Sequence, residues 1–200
     1  MELASRLRAY FQAVDPDTTI DVLPVVPGDP ASVPAAADGV VVTPLLVCTA
    51  QTFRPAPAVP GLEFVALSSE SSLAEVTEGL DANALGFDPA APATPPDEAE
   101  AFRAQLITNR AFTARLDTQP AGAGMFTPPI DGIAELVGIT TLAAYRRRGI
   151  AAALTGEIVR LAFAHNVDIP FLRTDNLEAY RVYQRLGFAH LATLLSRPDA

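Results

Sequence analysis

Two short patterns in fixed order constrain this chain more than any other feature. They are Arg146-x-x-Gly149-x-Ala151 and Asn176-x-x-Ala179-x-x-x-Tyr183-x-x-x-Gly187-Phe188. The first follows a strand-like run over residues 134–142 and opens a long apolar helix expected over about 149–165. Backbone N–H groups at the start of such a helix have no partner within it, and the dipole favours negative charge there, so the loop suits a phosphate. Gly149 has no side chain to hold an anion away, Ala151 keeps the same face small, and Arg146, Arg147 and Arg148 add charge and donors. Taken alone, those six residues read more readily as a solvated turn before a helix. In the second pattern Asn176 stands at a natural N-cap, Ala179 is small, and Tyr183 lies two turns in on the same general side. Gly187 then ends the helix and Phe188 starts a strand, while Tyr183 reads equally well as a core aromatic.

Composition narrows the classes that remain. The 200 residues fit one domain with an extension, and half are apolar, yet no run has the length and freedom from charge of a membrane helix. The first helical segment sets Leu3, Leu7, Tyr10, Phe11 and Val14 on one face, but Glu2, Arg6 and Arg8 interrupt it, so it is not read as a signal peptide. The single cysteine, Cys48, lies in an apolar strand-like run and reads as a buried small hydrophobe, which suits a reducing cytoplasm. The first hundred residues carry a net charge of −12 and the second hundred +3, which places an anionic ligand in the second half. All 14 basic residues are arginine, so lysine Schiff-base chemistry is excluded. The overall charge of −9 argues against nucleic acid and mildly favours a cationic partner such as an amine.

The chain divides most naturally near residue 60. Residues 1–60 are expected to form an N-terminal extension packed on a main domain of residues 61–200. The extension holds the helix of residues 3–14, a strand over 19–26 and the apolar run of 40–48, and ends in a proline-rich connector over 54–61. The main domain is expected to run from a strand at 62–67 to a helix at 72–85. A second helix begins near Thr94, which stands at or beside its N-cap, with Asp97, Glu98 and Glu100 near its positive end. Residues 111–116 form a strand that turns at Gln119-Pro120-Ala121-Gly122 and returns at 124–127. The strand at 134–142 and the helix at 149–165 follow, then a strand at 169–174, a helix at 177–186 and a last strand at 188–195. No internal repeat is evident.

Over residues 61–195 these features resemble the GNAT superfamily of acetyl-coenzyme A-dependent N-acetyltransferases. The residues that carry the resemblance are Gly138-Ile139-Thr140-Thr141, the Arg146 to Ala151 pattern, and then Asn176, Ala179, Tyr183 and Leu186-Gly187-Phe188. Ala143 stands where proline is frequent, and Ala151 replaces the second glycine, a usual variant. The resemblance implies an α/β fold with a central mixed, mostly antiparallel sheet splayed between its fourth and fifth strands, the strands at 134–142 and 169–174, and helices on both faces. It implies that acetyl-coenzyme A is the co-substrate, with its pantetheine arm pairing along the main chain of Ile139, Thr140 and Thr141. The amides of Arg147, Arg148, Gly149, Ile150 and Ala151 would hold the pyrophosphate beside Arg146, and Asn176 would contact the arm. Tyr183 is the implied general acid for the leaving thiolate, and an amide near Ile139 or Thr141 the implied donor to the oxyanion. The implied acceptor is a primary amine of a small molecule or peptide attacking directly, in a monomer or homodimer.

The base is less well marked. Glu135 lies in the strand that borders the cofactor and is the best carboxylate, but an exposed strand-end glutamate reads as well. His165 suits a helix end, and His190 is either core or site. No Cys/His/Asp cluster has metal-ligand spacing, and no P-loop or dinucleotide fingerprint is present, so no metal is expected. A rival from another class is a non-catalytic acyl-coenzyme A binder that senses or regulates.

Overall fold

The alternating and periodic runs become eight strands and five α-helices in the computed structural model, which describes residues 2–14, 16, 19–24, 41–107 and 110–197. In chain order these are α1 (Glu2–Val14), β1 (Thr19–Pro24), β2 (Val41–Val47), β3 (Leu62–Leu67), α2 (Leu73–Phe87), α3 (Pro96–Gln105) and β4 (Arg110–Leu116). Then come β5 (Gln119–Phe126), β6 (Ile133–Thr141), α4 (Ile150–Ala164), β7 (Ile169–Arg173), α5 (Leu177–Arg185) and β8 (Ala189–Arg197). Residues 25, 26 and 40, expected at strand ends, lie outside the described residues. The fold class is the one expected: a mixed α/β fold built on a mostly antiparallel sheet with flanking helices. Among the described residues no helix is long and apolar enough to cross a membrane.

The chain forms two units. The first comprises Met1–Phe53, Pro129–Ile133 and Val167–Ala200; the second comprises Arg54–Pro128 and Ala134–Asn166. In the first, the strand order is β1-β8-β2-β7, so a strand from the N-terminal segment lies between two that follow residue 168. The amphipathic face of α1 supplies this unit's core. Tyr10 and Phe11 meet Phe171 edge-on with ring centroids 5.1 and 5.5 Å away, and Leu7, Leu45, Val47, Ile169 and Leu194 close around them. Val14, expected on that face, is exposed because it is the helix's last residue, beyond the strands that cover Leu7 and Phe11. Cys48 is fully buried, as expected of a small hydrophobe.

In the second unit the order is β6-β5-β4-β3. A β-carbon at Gly79 of α2 would strike Leu67 and Thr113, whereas one at Gly124, opposite Phe112, would strike Ile158 of α4. Adjacent strand residues point to opposite faces, so α2 and α4 cover opposite sides of this sheet. The buried face of α2 is made of Val76, Gly79, Ala82 and Gly86, with the larger leucines at its margins. Ser72 and Glu75 form a capping box that starts the helix. One local expectation fails. The hairpin turns at Asp117 and Thr118, both with positive φ, so residues 119–122 belong to β5; the paired left-handed residues match the twist of the flanking strands without a glycine. Thr94 stands beside the N-cap of α3, as expected; the N-cap itself is Pro95, with no side-chain bond, and the Thr94 amide donates to Asp81 Oδ1 at 2.7 Å.

In the first unit, α5 ends where Gly187 takes φ +93°. The Phe188 N–H donates to the Tyr183 carbonyl and the Gly187 N–H to that of Gln184, the pairing of a Schellman motif. A β-carbon at Gly187 would also overlap the carbonyl of Thr52. Gly187→Ala therefore incurs the left-handed penalty of roughly 1–2 kcal/mol plus a backbone displacement. Chemical denaturation should show a loss of at least about 2 kcal/mol, on the scale of such strained sites; an unchanged midpoint would contradict this packing.

Candidate functional site

The candidate residues fall into two groups, one in each unit. In the second unit, β6 leads through a single 3-10 turn, Ala143–Tyr145, into the loop before α4. The turn forms because the Tyr145 and Arg146 amides close back on the carbonyls of Leu142 and Ala143. Arg147 then takes φ +65° and Gly149 φ +83°. Left-handed residues this close together curl successive amides towards one side, as in an anion nest. Gly149 is the N-cap of α4 with no side-chain cap bond, and a β-carbon there would meet only Val59 at ordinary contact distance. Its conformation, rather than lack of space, is what calls for glycine.

The side chains of the loop divide their work. Ile150 is fully buried and fastens the first turn of α4 to the core, together with Leu154 and Ile158. Arg146 donates from Nε to the Thr141 carbonyl at 3.1 Å and from a terminal nitrogen to the Gly86 carbonyl at 2.9 Å. Its guanidinium thus ties the last turn of α2 to the end of β6. Arg148 lies over the Tyr145 ring at 5.7 Å, while Arg147 is exposed. An exposed, left-handed loop at a helix N-terminus is a backbone arrangement able to hold a phosphate group.

Within β6 the register runs Met125↔Val137 and then Ala123↔Thr140, so Gly138 and Ile139 together face Gly124. With Gly138 at φ +64° this is a G1-type bulge. Asn83 of α2 donates from Nδ2 to the Gly138 carbonyl at 2.5 Å. Ile139 is half-buried, Thr140 is buried against Gly86, and Thr141 Oγ1 is buried without a hydrogen-bond partner. Glu135 is buried, at 6% exposure, which removes the reading of an exposed strand-end residue. Its carbonyl accepts from the N–H of Thr127, the residue after β5, at 2.9 Å, and its own N–H donates to Thr127 Oγ1 at 3.0 Å.

In the first unit, α5 carries the other two candidates. Asn176 is the N-cap, its Oδ1 accepting from the amides of Glu178 and Ala179, which leaves its Nδ2 as the group able to donate elsewhere. Tyr183 sits at the third residue from the helix end, where its ring packs on Phe188 with centroids 5.9 Å apart. That contact between the residues flanking the Gly187 turn is the hydrophobic half of the Schellman motif and fixes the ring's direction. Burial pushes the Tyr183 phenol up to about 12. His190 contacts the Tyr180 ring edge-on and Thr193 Oγ1 at 3.3 Å, and desolvation holds its pKa below the usual imidazole value. His165 ends α4, and its Nδ1 lies 2.8 Å from the Leu161 carbonyl, as a helix-end histidine should. Among the described residues no group of three or more His, Cys, Asp or Glu is placed to hold a metal.

The structure thus brings Ile139, Thr140, Thr141 and the Arg146–Ala151 loop to one end of β6, and Asn176 and Tyr183 to one helix. Sequence pattern missed the role of Asn83 and the engagement of the Arg146 side chain. A glycine between Val137 and Ile139 was the available signal for the bulge. The spacing of Gly79, Asn83 and Gly86 was the signal for a close-packed helix face.

The model of the Acetyltransferase (GNAT) family matches residues 81–188. Among solved structures, the chain is similar to a GCN5-related N-acetyltransferase from Kribbella flavida, at 24% identity and a TM-score of 0.61, over 81% of this chain and 61% of that one. It is also similar to a GNAT-family protein from Novosphingobium aromaticivorans, at 25% identity and a TM-score of 0.53, over 92% and 75% of the two chains. A tandem GNAT protein from the clavulanic acid biosynthesis pathway shares the fold at 16% identity and a TM-score of 0.62, over 98% of this chain and 70% of its own. The chain therefore spans about three fifths of the length of the Kribbella flavida protein. No curated protein matches it significantly. With the family model matched over more than half its length and both motifs set at the end of β6 and on α5, the chain belongs to the GNAT acetyltransferase family.

Proposed function

We propose that the protein transfers acetyl from acetyl-coenzyme A to a primary amine of a small molecule or peptide by direct attack. The observation that carries this reading is the left-handed backbone of Arg147 and Gly149 at the N-terminus of α4, directly after the bulged strand β6. The amides from Arg147 to Ala151 would hold the pyrophosphate, the main chain of Ile139 to Thr141 would pair with the pantetheine arm, and Asn176 would donate to it. Acetyl-coenzyme A supplies the activated acyl group. The Ile139 amide is assigned to the acyl oxygen, where negative charge develops during transfer. A neutral amine is needed for attack, and Glu135 is assigned to take its proton.

Tyr183 is assigned as the acid that protonates the departing thiolate. A phenol held near 12 keeps its proton at neutral pH and has it to give. Soluble acceptors are not limited by competition from the enzyme's own side-chain amines, because none of its 14 basic residues is lysine.

Three outcomes follow. Acetyl-coenzyme A should raise the melting temperature by several degrees at about 100 times its dissociation constant, where linkage contributes roughly 2.7 kcal/mol, and an Arg147→Ala/Gly149→Val variant should lose the rise. No rise in the wild type would remove the reading; a rise with no turnover across amines would favour the sensor. Tyr183→Phe should lower kcat by roughly 100-fold while leaving the affinity for acetyl-coenzyme A within about twofold, since an acid acts on the transition state. Normal turnover would give the acid role to another group.

The third concerns pH. The native Tyr183 retains its proton above the ordinary value of 10.0, where the unfolded chain has lost it. Its contribution is therefore complete below that pH and is lost as pH rises towards 12. Denaturation midpoints of the wild type should fall more steeply between pH 10 and 12 than those of Tyr183→Phe. Parallel slopes would mean the phenol is solvated.

A further inference from the structure

The bulge in β6 leaves one peptide unit, Gly138 to Ile139, outside the β5 ladder. We infer that Asn83 is a positioning residue that fixes this peptide, and with it the direction of the Ile139 N–H. The functional half of the inference rests on the acetyltransferase reading given above. In a planar trans peptide the carbonyl and the following N–H point in opposite directions. A donor that captures the Gly138 carbonyl therefore sets where the Ile139 N–H points, which is away from Asn83.

Three observations make the latch necessary. Gly138 is left-handed, and glycine tolerates either sense of φ, so the backbone alone does not choose between this peptide orientation and its reverse. The carbonyl has no place in the β5 register, and a part-buried backbone acceptor left without a partner is costly. Asn83 reaches it only because its neighbours on the same face of α2, Gly79 and Gly86, have no side chains to hold the helix off. A carbonyl only accepts, so the amide nitrogen of Asn83 is the atom that faces it. On the other side Ile139 leans over Gly124, where its Cγ1 and Ile158 Cδ1 occupy the space a side chain would take. The peptide is thus held by a hydrogen bond from α2 at one end and by apolar contact towards α4 at the other.

The test uses the full chain labelled with 15N, comparing the wild type with Asn83→Ala and Asn83→Asp. Without ligand, the Ile139 amide signal should move in both variants at neutral pH, since alanine has no donor and an ionised carboxylate has no hydrogen to give. A protonated carboxylate can donate, so lowering the pH through the carboxylate range should return the Asn83→Asp signal towards the wild-type position while Asn83→Ala stays displaced. With acetyl-coenzyme A and an amine found to turn over, Asn83→Ala should show kcat reduced at least tenfold, with KM for acetyl-coenzyme A within about twofold, as for loss of one donor to a developing oxyanion.

An Ile139 signal at the wild-type position in folded Asn83→Ala, or one that ignores the titration of Asn83→Asp, overturns the inference. Should Asn83→Ala fail to fold, the Asn83→Asp titration decides it. A latch intact by these shifts in a protein that does not bind acetyl-coenzyme A would overturn the acetyltransferase reading instead, so the two failures are told apart.

Discussion

The close approach of α2 to β6 is the constraint on which the second unit depends. Gly79 and Gly86 lie seven residues apart on one helical face, and a β-carbon at either would collide with the sheet, at Thr113 and Thr140 respectively. Forgoing two side chains costs helix propensity, roughly 1 kcal/mol for each glycine relative to alanine. What the sheet gains is a helix backbone near enough for two polar bridges. Asn83 meets the bulge carbonyl, and the last-turn carbonyl of Gly86 receives the Arg146 guanidinium. The bulge and the loop before α4, separated by only a few residues of β6, are therefore referenced to the same helix. An error in the seating of α2 would be transmitted to both.

The loop itself is held by contacts that leave its main chain exposed. Ile150 is driven into the core, Arg146 and Arg148 fold back on carbonyls and a ring, and the left-handed residues turn the amides outward. Strain of this kind persists where the surroundings over-determine it. In the first unit the same economy is seen at the end of α5, where one turn at Gly187 both stops the helix and seats the Tyr183 ring on Phe188.

Sequence made the α4–β7–α5–β8 succession legible because each boundary there has a chemical marker. Gly149 opens a helix, Asn176 caps one and Gly187 closes one, and each does so in the structure. Where the markers were ambiguous the reading slipped. Pro120 and Gly122 look like turn residues, yet both lie in β5, and the turn is made by Asp117 and Thr118, the latter a β-branched residue rarely left-handed. The leucines of α2 lie at the margins of its packing, and the face that is buried is the small one. Periodicity reports where apolar mass lies, not how near two backbones come. For the same reason the pairing of Asn83 with a carbonyl 55 positions away left no trace in local pattern. The burial of Glu135 is a similar case, since it depends on neighbours rather than on the alternation of its own strand.

The position of β2 bears on how the first unit is made. Its register partners are Leu194, Thr193 and Ala192 on one side and Arg173, Leu172 and Phe171 on the other, all more than a hundred residues later in the chain. Pairings this distant in sequence close slowly, because the intervening loop must surrender its entropy before any contact rewards it. During synthesis the apolar strand Leu45–Leu46–Val47 emerges early and stays without either neighbour until β7 and β8 exist. The unit that seats Tyr183 is thus assembled late, around a strand that has waited for it, and its nascent form is the one with most to gain from a chaperone.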